Sequence, residues 1–271
     1  MNDILKKPVD KINDAFNGNF GKSMENKTRK RVYWVMEQVR GKRVLDIGCS
    51  QGITSILLGR EGKNVIGVDS LKHSIDIANE ALSFEEDSVK ERVKFVNDNI
   101  ISMRNNLGTF NTVILGEVLE HFADWEALLE KALEFGRENC RFIITVPFGI
   151  NDYFDHKRTY YYSDLYFQLS KYFEIEKSFF MGKWLGVTCI KRKNENNIQS
   201  ISIDIVRDME REFYNIEKNL IDSNKRLVKI NNDNDIYIKK LENEIRENNT
   251  FQDINSFCEK LVNDLIKKND S

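Results

Sequence analysis

The sequence Arg43-Val44-Leu45-Asp46-Ile47-Gly48-Cys49-Ser50-Gln51-Gly52 is a short apolar run followed by a loop with two glycines. Such a run is typical of a buried strand in a parallel sheet. Residues 53–60 continue as a helical pattern, which Gly62 closes. The stretch therefore predicts a strand, a tight turn and a helix, and the N-terminal N–H groups of that helix would face a ligand held by the loop.

Strand and helix patterns alternate along the chain after this unit. Further strands are predicted at 64–69, 93–98, 112–116 and 141–146, with helices at 74–83 and 125–136. Two β-rich runs, 173–180 and 185–190, flank Gly182 and predict a terminal antiparallel hairpin. The repeated units imply an α/β fold with a doubly wound, mostly parallel sheet. Ligands of such sheets bind at the carboxyl ends of the strands.

Glycine and proline are confined to the first two thirds of the chain. All 14 glycines and both prolines lie at or before Gly186. Because tight turns use these residues, the chain beyond the polar run 191–200 is predicted to be helical. The predicted organisation is a mobile N-terminal segment 1–26, an α/β domain 27–192 that begins with a helix at 27–40, and a helical extension 201–271. The N-terminal segment is either a frayed tail or a lid that orders over a ligand.

The helical extension has a heptad-like apolar pattern, which predicts a coiled coil. The apolar positions are Met209, Phe213, Ile216, Leu220, Leu227, Ile230, Leu241 and Ile245. Asn234 falls on the same seam, and residues 248–250 predict a break in the helix. Two interpretations stay open. The extension forms a homodimer or docks a partner protein, or it folds back as an antiparallel hairpin.

Composition argues against several classes of partner. The net charge of −2 and the pI of about 6.1 provide no overall field that would attract nucleic acid or an anionic membrane. The four cysteines have no metal-like spacing, which fits a reducing cytoplasm. Neither a signal peptide nor an apolar run long enough to cross a bilayer is present. The sequence therefore predicts a cytoplasmic protein.

The glycine loop carries acidic residues that indicate its ligand. Asp46 precedes the first glycine and favours a cationic ligand over a pyrophosphate. Asp69 ends the next strand, where such folds bind ribose hydroxyls. Ser50 replaces the second glycine of the dinucleotide fingerprint. A nucleoside with a positive charge thus fits better than a dinucleotide.

Four segments, 44–52, 67–69, 97–100 and 115–121, resemble in order and context the motifs of class I S-adenosylmethionine-dependent methyltransferases. The resemblance covers residues 31–192 and implies a Rossmann-like fold with S-adenosyl-L-methionine as cofactor. It implies that Gly48, Ser50 and Gly52 line the methionine moiety and that Asp69 binds the ribose. It also implies that Asp98 accepts from the adenine amino group, that Asn99 or Ile100 contacts the ring, and that Gly116 and Glu117 close the site. Asp46 is included among the predicted cofactor-binding residues because of its charge. Family loops usually read G-C-G-x-G, so Ser50 is a departure.

Two of the three histidines fall where the acceptor of the methyl group would lie. His121 follows the fourth predicted strand and His156 the fifth. In one interpretation a histidine is the general base for a hydroxyl, with Glu117 beside it. In a second, Glu117, Glu120, His121 and His156 hold a divalent cation, an arrangement that resembles the small-RNA 3′-terminal 2′-O-methyltransferases. In a third, the histidines only orient loops or substrate.

The leading hypothesis is O-methylation of a saccharide or another small polar metabolite. The alternatives are metal-dependent 2′-O-methylation of RNA 3′ ends and a non-catalytic scaffold that recruits partners through its C-terminal helices. The acidic pI argues against a nucleic-acid substrate. An aromatic group near the same strand ends could either pack in the core or form a wall for a sugar ring. Its members are Phe148, Tyr153, Phe154, Tyr160, Tyr161 and Tyr162.

Overall fold

The computed structural model describes residues 11–104, 107–150, 155–192 and 201–247. Its seven-stranded sheet has the order β3-β2-β1-β4-β5-β7-β6. The strands are β1 (Arg43–Ile47), β2 (Asn64–Asp69), β3 (Val93–Asn97), β4 (Phe110–Gly116), β5 (Gly136–Pro147), β6 (Phe173–Met181) and β7 (Trp184–Lys191). The first five strands are parallel, and β7 pairs antiparallel with both β5 and β6. The predicted fold class, with its terminal hairpin, is confirmed.

Helices precede, connect and follow the strands along the chain. They are α1 (Ile12–Phe16), α2 (Lys22–Gln38), α3 (Ile53–Arg60), α4 (Lys72–Ser83), α5 (Asp87–Lys90), α6 (Trp125–Phe135), α7 (Tyr162–Ser170) and α8 (Ile203–Glu247), and a 3₁₀ turn covers Leu119–His121. The central strands are buried on both faces. Val44, Leu45, Val113 and Ile143 have at most a trace of exposure. Because both faces of the central strands are buried, their sequences are continuous apolar runs.

The strand order reverses between β1 and β4. The chain runs outward from β1 through β2 to β3 and then returns to the other side of β1 with β4. A crevice opens at the carboxyl ends of the strands at such a switch point. The loops after β1, β2, β4 and β5 therefore meet at one edge of the sheet.

The N-terminal part contains more helix than the sequence predicts. Helix α2 begins at Lys22 rather than residue 27, and α1 precedes it, with Ala15 and Phe16 buried. Five residues are too few to display a helical period, so α1 left no pattern to detect. The predicted mobility of residues 1–26 stays a prediction, and residues 1–10 lie outside the described part of the chain.

Three other elements also differ from the prediction. Helices α5 and α7 have no predicted counterpart, and β5 begins at Gly136 rather than residue 141. Helix α5 has four residues, again too few for a period. Residues 136–140 are mostly exposed and polar, so the start of β5 lacks the apolar signal of its buried half. The carboxyl ends of the strands that form the crevice nevertheless lie where they were predicted.

The chain divides into two compact units, 1–213 and 214–271. The boundary predicted in 191–200 falls mostly in 193–200, outside the described residues. Within the first unit, Phe213 at the start of α8 lies 4.9 Å from Phe148 between ring centroids, and Gly182 N–H donates to Glu212 Oε2 at 3.0 Å. In the second unit α8 is regular to Glu247. The predicted break at 248–250 is outside the described residues, and the coiled coil stays a prediction. Among the described helices, none combines the length and apolarity that a membrane span requires.

Candidate active site

A cavity of about 660 Å³ opens at the carboxyl edge of the sheet. It is lined by all but one of the residues that the sequence assigns to a site. These are Asp46, Gly48, Ser50, Asp69, Asp98, Asn99, Ile100, Gly116, Glu117, Glu120, His121 and His156. Gly52 is the exception. The structure therefore brings the two predicted groups, around the glycine loop and around the histidines, into one cavity.

The loop after β1 turns sharply through left-handed backbone conformations. Gly48 has φ 70° and Gly52 has φ 80°. A Cβ atom on Gly48 would lie 2.5 Å from Val118 Cγ2, and one on Gly52 would lie 2.5 Å from Phe95 Cζ. Ser50 is also left-handed, with φ 46°, which is unusual for a residue with a side chain. Gly52 thus serves the turn and its packing on β3 without lining the cavity.

Asp69 fixes the unusual serine. Its Oδ2 accepts from Ser50 N–H at 3.0 Å, and its Oδ1 accepts from Leu71 N–H at 2.8 Å. A carboxylate offers about four lone-pair sites, so capacity remains for ligand hydroxyls. Asp69 therefore holds the Ser50 N–H in place, as it would hold the N–H of a glycine at this position.

Asp46 lies at the base of the cavity and is buried. Ser55 Oγ donates to its Oδ2 at 2.7 Å. Burial raises the pKa of the Asp46 carboxyl to about 6, the Ser55 hydrogen bond opposes this shift, and Asp69 adds to it. A positive ligand group would stabilise the ionised form and so bind here.

The loop after β3 forms the far wall on this side. Asp98 N–H donates to Asp69 O at 3.1 Å, and Asn99 N–H donates to Asp98 Oδ1 at 2.8 Å. Ile100 is buried. Asp98, Asn99 and Ile100 therefore form a short, locally bonded ledge next to Asp69.

On the other side of β1, Glu117 follows β4 in a left-handed conformation, with φ 57°. Its Oε2 lies 2.9 Å from Arg31 Nη1 on α2, and both side chains are mostly buried. The Arg31 guanidinium stacks 4.8 Å from the Trp184 ring centroid on β7. Glu117 Oε1 is buried and has no hydrogen-bond partner among the described residues. Sequence reasoning missed Arg31 and Trp184, because neither belongs to a motif.

The two histidines meet above the same strand ends. The ring centroids of His121 and His156 lie 5.0 Å apart, and His121 Nδ1 lies 3.4 Å from Asp155 Oδ2. Lys157 N–H donates to Glu120 O at 2.7 Å, which ties the loop after β5 to the 3₁₀ turn. One ligand atom from each of Glu120, His121 and His156 lies within 4.8 Å of the others, so this trio suits a divalent cation. Glu117, the fourth predicted ligand, is not in that group.

Buried hydroxyl groups also line the cavity. Ser74 and Thr145 are each 1% exposed, and neither side-chain oxygen has a hydrogen-bond partner among the described residues. The sequence predicted neither residue, because a single Ser or Thr on a strand or helix carries no signal of its own. Such orphaned hydroxyls are expected where a ligand supplies the missing partner.

The aromatic group is mainly core. Phe148, Tyr160 and Tyr162 are buried, and Tyr161 is 38% exposed. Burial raises the pKa of the Tyr160 hydroxyl above its ordinary value. Tyr153 and Phe154 lie outside the described residues. None of the described members lines the cavity, whose aromatic lining residues within the described ranges are Phe122 and Trp184.

Comparisons with known proteins agree with this architecture. A model of the methyltransferase domain family matches residues 23–178, more than half of the chain. The chain is similar to the mitochondrial ubiquinone biosynthesis O-methyltransferase of Bos taurus, with 28% identity over 106 residues, which are 39% of this chain and only 28% of that protein.

Two solved structures share the fold at low identity. The glycopeptide N-methyltransferase MtfA, complexed with S-adenosyl-L-methionine, has a TM-score of 0.52 and 11% identity over 60% of this chain and 86% of its own. The methyltransferase domain of bacterial CtHen1-C has a TM-score of 0.53 and 17% identity over 62% of this chain and 100% of its own. The family match spans the strands, loops and helices that build the cavity, and the fold agrees with it. The chain therefore belongs to the methyltransferase domain family, as the sequence predicts, and it shares the fold of a methyltransferase solved with S-adenosyl-L-methionine.

Proposed function

We propose that this chain O-methylates a saccharide or another small polar metabolite, with S-adenosyl-L-methionine as the methyl donor. The observation that carries the proposal is the pair of imidazoles, His121 and His156, which line the same cavity as the glycine loop. Methyl transfer to a hydroxyl needs a base within reach of the acceptor and a sulfonium held in line with it. The donor supplies an electrophilic methyl group when bound.

The β1–β3 side of the cavity is assigned to the donor. Asp46 faces the ammonium group, Asp69 accepts from ribose hydroxyls, and Asp98 accepts from the adenine amino group. Backbone at Gly48 and Ser50 follows the methionine chain, while Asn99 and Ile100 contact the ring. Gly116 and Glu117 close the site towards the acceptor. Arg31, the one Arg or Lys among the described lining residues, is assigned to the methionine carboxylate.

His121 or His156 takes the hydroxyl proton. Asp155, 3.4 Å from His121 Nδ1, orients that ring and stabilises the imidazolium that forms. The test is S-adenosylhomocysteine release in the presence of candidate sugars and polyols. We expect His121→Ala or His156→Ala to lower kcat by about 10²–10⁴-fold, the usual worth of a general base. The exposed His73→Ala variant serves as the matched control. Unchanged kcat in both active-site variants would contradict a base role for either histidine.

A second function, metal-dependent 2′-O-methylation of RNA 3′ ends, is favoured by one observation. The Glu120, His121 and His156 ligand atoms lie within 4.8 Å of one another. The test is a Mn²⁺ titration, by calorimetry, of the protein saturated with S-adenosylhomocysteine. Tight binding that His156→Ala abolishes would place this function first, and RNA 3′ ends would be the next substrates. No binding would leave the histidines as base or orienting residues. If the protein bound neither Mn²⁺ nor S-adenosylhomocysteine, the non-catalytic scaffold would become the preferred hypothesis.

Homodimerisation through the extension is also part of the proposal. Leu220, Leu227 and Ile230 of the predicted seam are each more than half exposed along α8. A Leu220→Asp/Leu227→Asp double variant of the full chain should halve the mass measured by light scattering, because it places charge on the seam. Ile236→Asp, at an exposed position off the seam, is the control. If the unmodified protein were a monomer, the antiparallel helical hairpin would be favoured over the homodimer. The cytoplasmic location stays a prediction.

A further inference from the structure

The β4–β5 side of the cavity is acidic. Glu117, Glu120 and Asp155 line it, and the one Arg or Lys among the described lining residues, Arg31, is paired with Glu117 at 2.9 Å. Lys157 Nζ is 3.9 Å from Asp155 Oδ1, but its side chain is half exposed and does not line the cavity. An acceptor with a phosphate or carboxylate would therefore meet like charge at this end, whereas a cation would be stabilised.

Two orphaned oxygens at this end point to a ligand that donates hydrogen bonds. Thr145 Oγ1 and Glu117 Oε1 are both buried without a partner among the described residues. They belong to adjacent segments, because Gly116 pairs with Thr145 across β4 and β5 and Glu117 N–H donates to Thr145 O at 2.9 Å. A buried acceptor left without a donor is costly. The carboxylate oxygen Glu117 Oε1 only accepts hydrogen bonds, and an ammonium group offers three donors, one of which the Thr145 hydroxyl can also accept.

We propose, resting on the function proposed above, that the acceptor carries a protonated amine next to the hydroxyl that is methylated, as in an amino sugar or amino polyol. Glu117 and Asp155 hold the ammonium, Thr145 accepts one of its N–H groups, and the neighbouring hydroxyl faces the histidines. The charge of the cavity thereby selects the substrate class.

The same charge decides which atom receives the methyl group. Nearby carboxylates favour the protonated amine, which has no lone pair and is not a nucleophile. The hydroxyl loses its proton to His121 or His156, and its oxygen forms the O–CH₃ bond. The S–CH₃ bond breaks with its electrons left on sulfur, which gives S-adenosylhomocysteine. The product is an O-methyl amine, and the amine stays unmethylated.

The experiment compares a matched set of acceptors with the full-length enzyme at neutral pH. The set is D-glucosamine, N-acetyl-D-glucosamine and D-glucosamine 6-phosphate, with a parallel set built on D-galactosamine. We expect kcat/KM to be at least about tenfold higher for a free amine than for its N-acetyl form, because a charge-assisted hydrogen bond is lost on acetylation. The phosphate should be the poorest substrate. Mass spectrometry should locate the methyl group on oxygen.

A pair of variants isolates the charge of the acceptor end. Glu117→Gln keeps the shape of the side chain and removes its charge, so the ratio of kcat/KM for amine over N-acetyl acceptor should fall about tenfold. Asp98→Asn also removes a carboxylate from the cavity lining, but at the adenine end, so it should weaken donor binding and leave that ratio unchanged.

The outcomes separate this inference from the function on which it rests. Failure to bind S-adenosylhomocysteine would overturn both. Binding with methylation only of neutral or phosphorylated acceptors, with N-methylation, or with no methylation of any free amine would overturn the inference and leave the donor assignment intact. Tight Mn²⁺ binding at the same carboxylates would also overturn it, because a metal ion would then be the cation that they hold.

Discussion

The two sides of the cavity are built in different ways. The donor side comes from the loops after three neighbouring strands, β1, β2 and β3, and its hydrogen bonds are mostly between backbone and Asp69 or Asp98. The acceptor side combines residues from the end of β4, the 3₁₀ turn, β5 and the loop after β5. Its contacts are between side chains distant in sequence, such as His121 with Asp155 and with His156.

This difference separates what is general in the molecule from what is specific. The left-handed backbone at Gly48 and Ser50, which we assign to the donor, leaves few residue types that are tolerated. The acceptor side depends on which side chains four separate segments present. Variation there can change the substrate without disturbing the sheet.

The largest expected effect comes from filling the space at Gly48. A Cβ atom there would meet Val118 at 2.5 Å in a left-handed backbone, so Gly48→Ala should lower the free energy of unfolding by about 3 kcal/mol. Gly62→Ala is the matched control, because Gly62 has φ 78° with nothing within 4 Å, and it should cost about 1 kcal/mol. Urea unfolding measures both. Equal losses would mean that the contact between the loop and Val118 is not tight.

Removing the carboxylate that holds the donor loop should have the next largest effect. Asp69→Ala loses the hydrogen bonds from Ser50 and Leu71 and the proposed ribose contacts, so the Kd for S-adenosylhomocysteine should rise about 100-fold. Asp76→Ala, an exposed carboxylate on α4 paired with Lys72, should leave that Kd unchanged. Calorimetry gives both values. If the two variants had a similar Kd, the donor would have to bind away from the end of β2.

The pH dependence of donor binding tests Asp46. Burial raises the pKa of this carboxyl from 3.8 to about 6, and a cationic ligand group binds its ionised form. The Kd for S-adenosylhomocysteine should therefore be flat above about pH 6 and rise up to about tenfold per pH unit below it, as the proton competes. Asp46→Asn should bind more weakly and lose this component of the pH dependence. A wild-type profile identical to that of the variant would contradict the assignment.

The same pKa shift has a consequence for stability. The folded protein binds more protons at Asp46 than the unfolded chain does between about pH 4 and 6. The contribution of this carboxyl is fully present below the unfolded pKa and is lost as the pH rises through the folded pKa. Asp46→Asn should remove that decline from a plot of the free energy of unfolding against pH. The measurement separates burial of the carboxyl from ligand binding.

The smallest effect is expected at Thr145 on the acceptor side. Thr145→Val keeps the shape and removes the hydroxyl, so the KM for the acceptor should rise about tenfold, the worth of one hydrogen bond to a charged group, with the Kd for S-adenosylhomocysteine unchanged. Thr188→Val is the control. Thr188 is also buried with an orphaned hydroxyl, but it does not line the cavity. Equal effects of the two variants on KM would show that Thr145 acts only through packing.

The sheet could be predicted because its strands leave local patterns, and so could the meeting of the residues assigned to the donor in one cavity. Strand β2 and helix α3 have the predicted bounds, and Asp46, Asp69 and Asp98 stand at strand ends that the topology must bring together. Arg31 could not be predicted. It lies on a helix among other basic residues, and only the tertiary fold brings it to Glu117 and Trp184. The left-handed backbone of Gly52 and its packing on Phe95 both require a glycine, and its predicted role at the cofactor stays a prediction.

Hydrogen exchange with and without S-adenosylhomocysteine tests the central claim, that the donor binds on the β1–β3 side. We predict slower amide exchange on binding at residues 48–54, 69–72 and 98–101, with little change in α7 and β6 on the far side of β5. Protection confined to the acceptor segments, or no protection in a protein shown to be folded, would contradict the account.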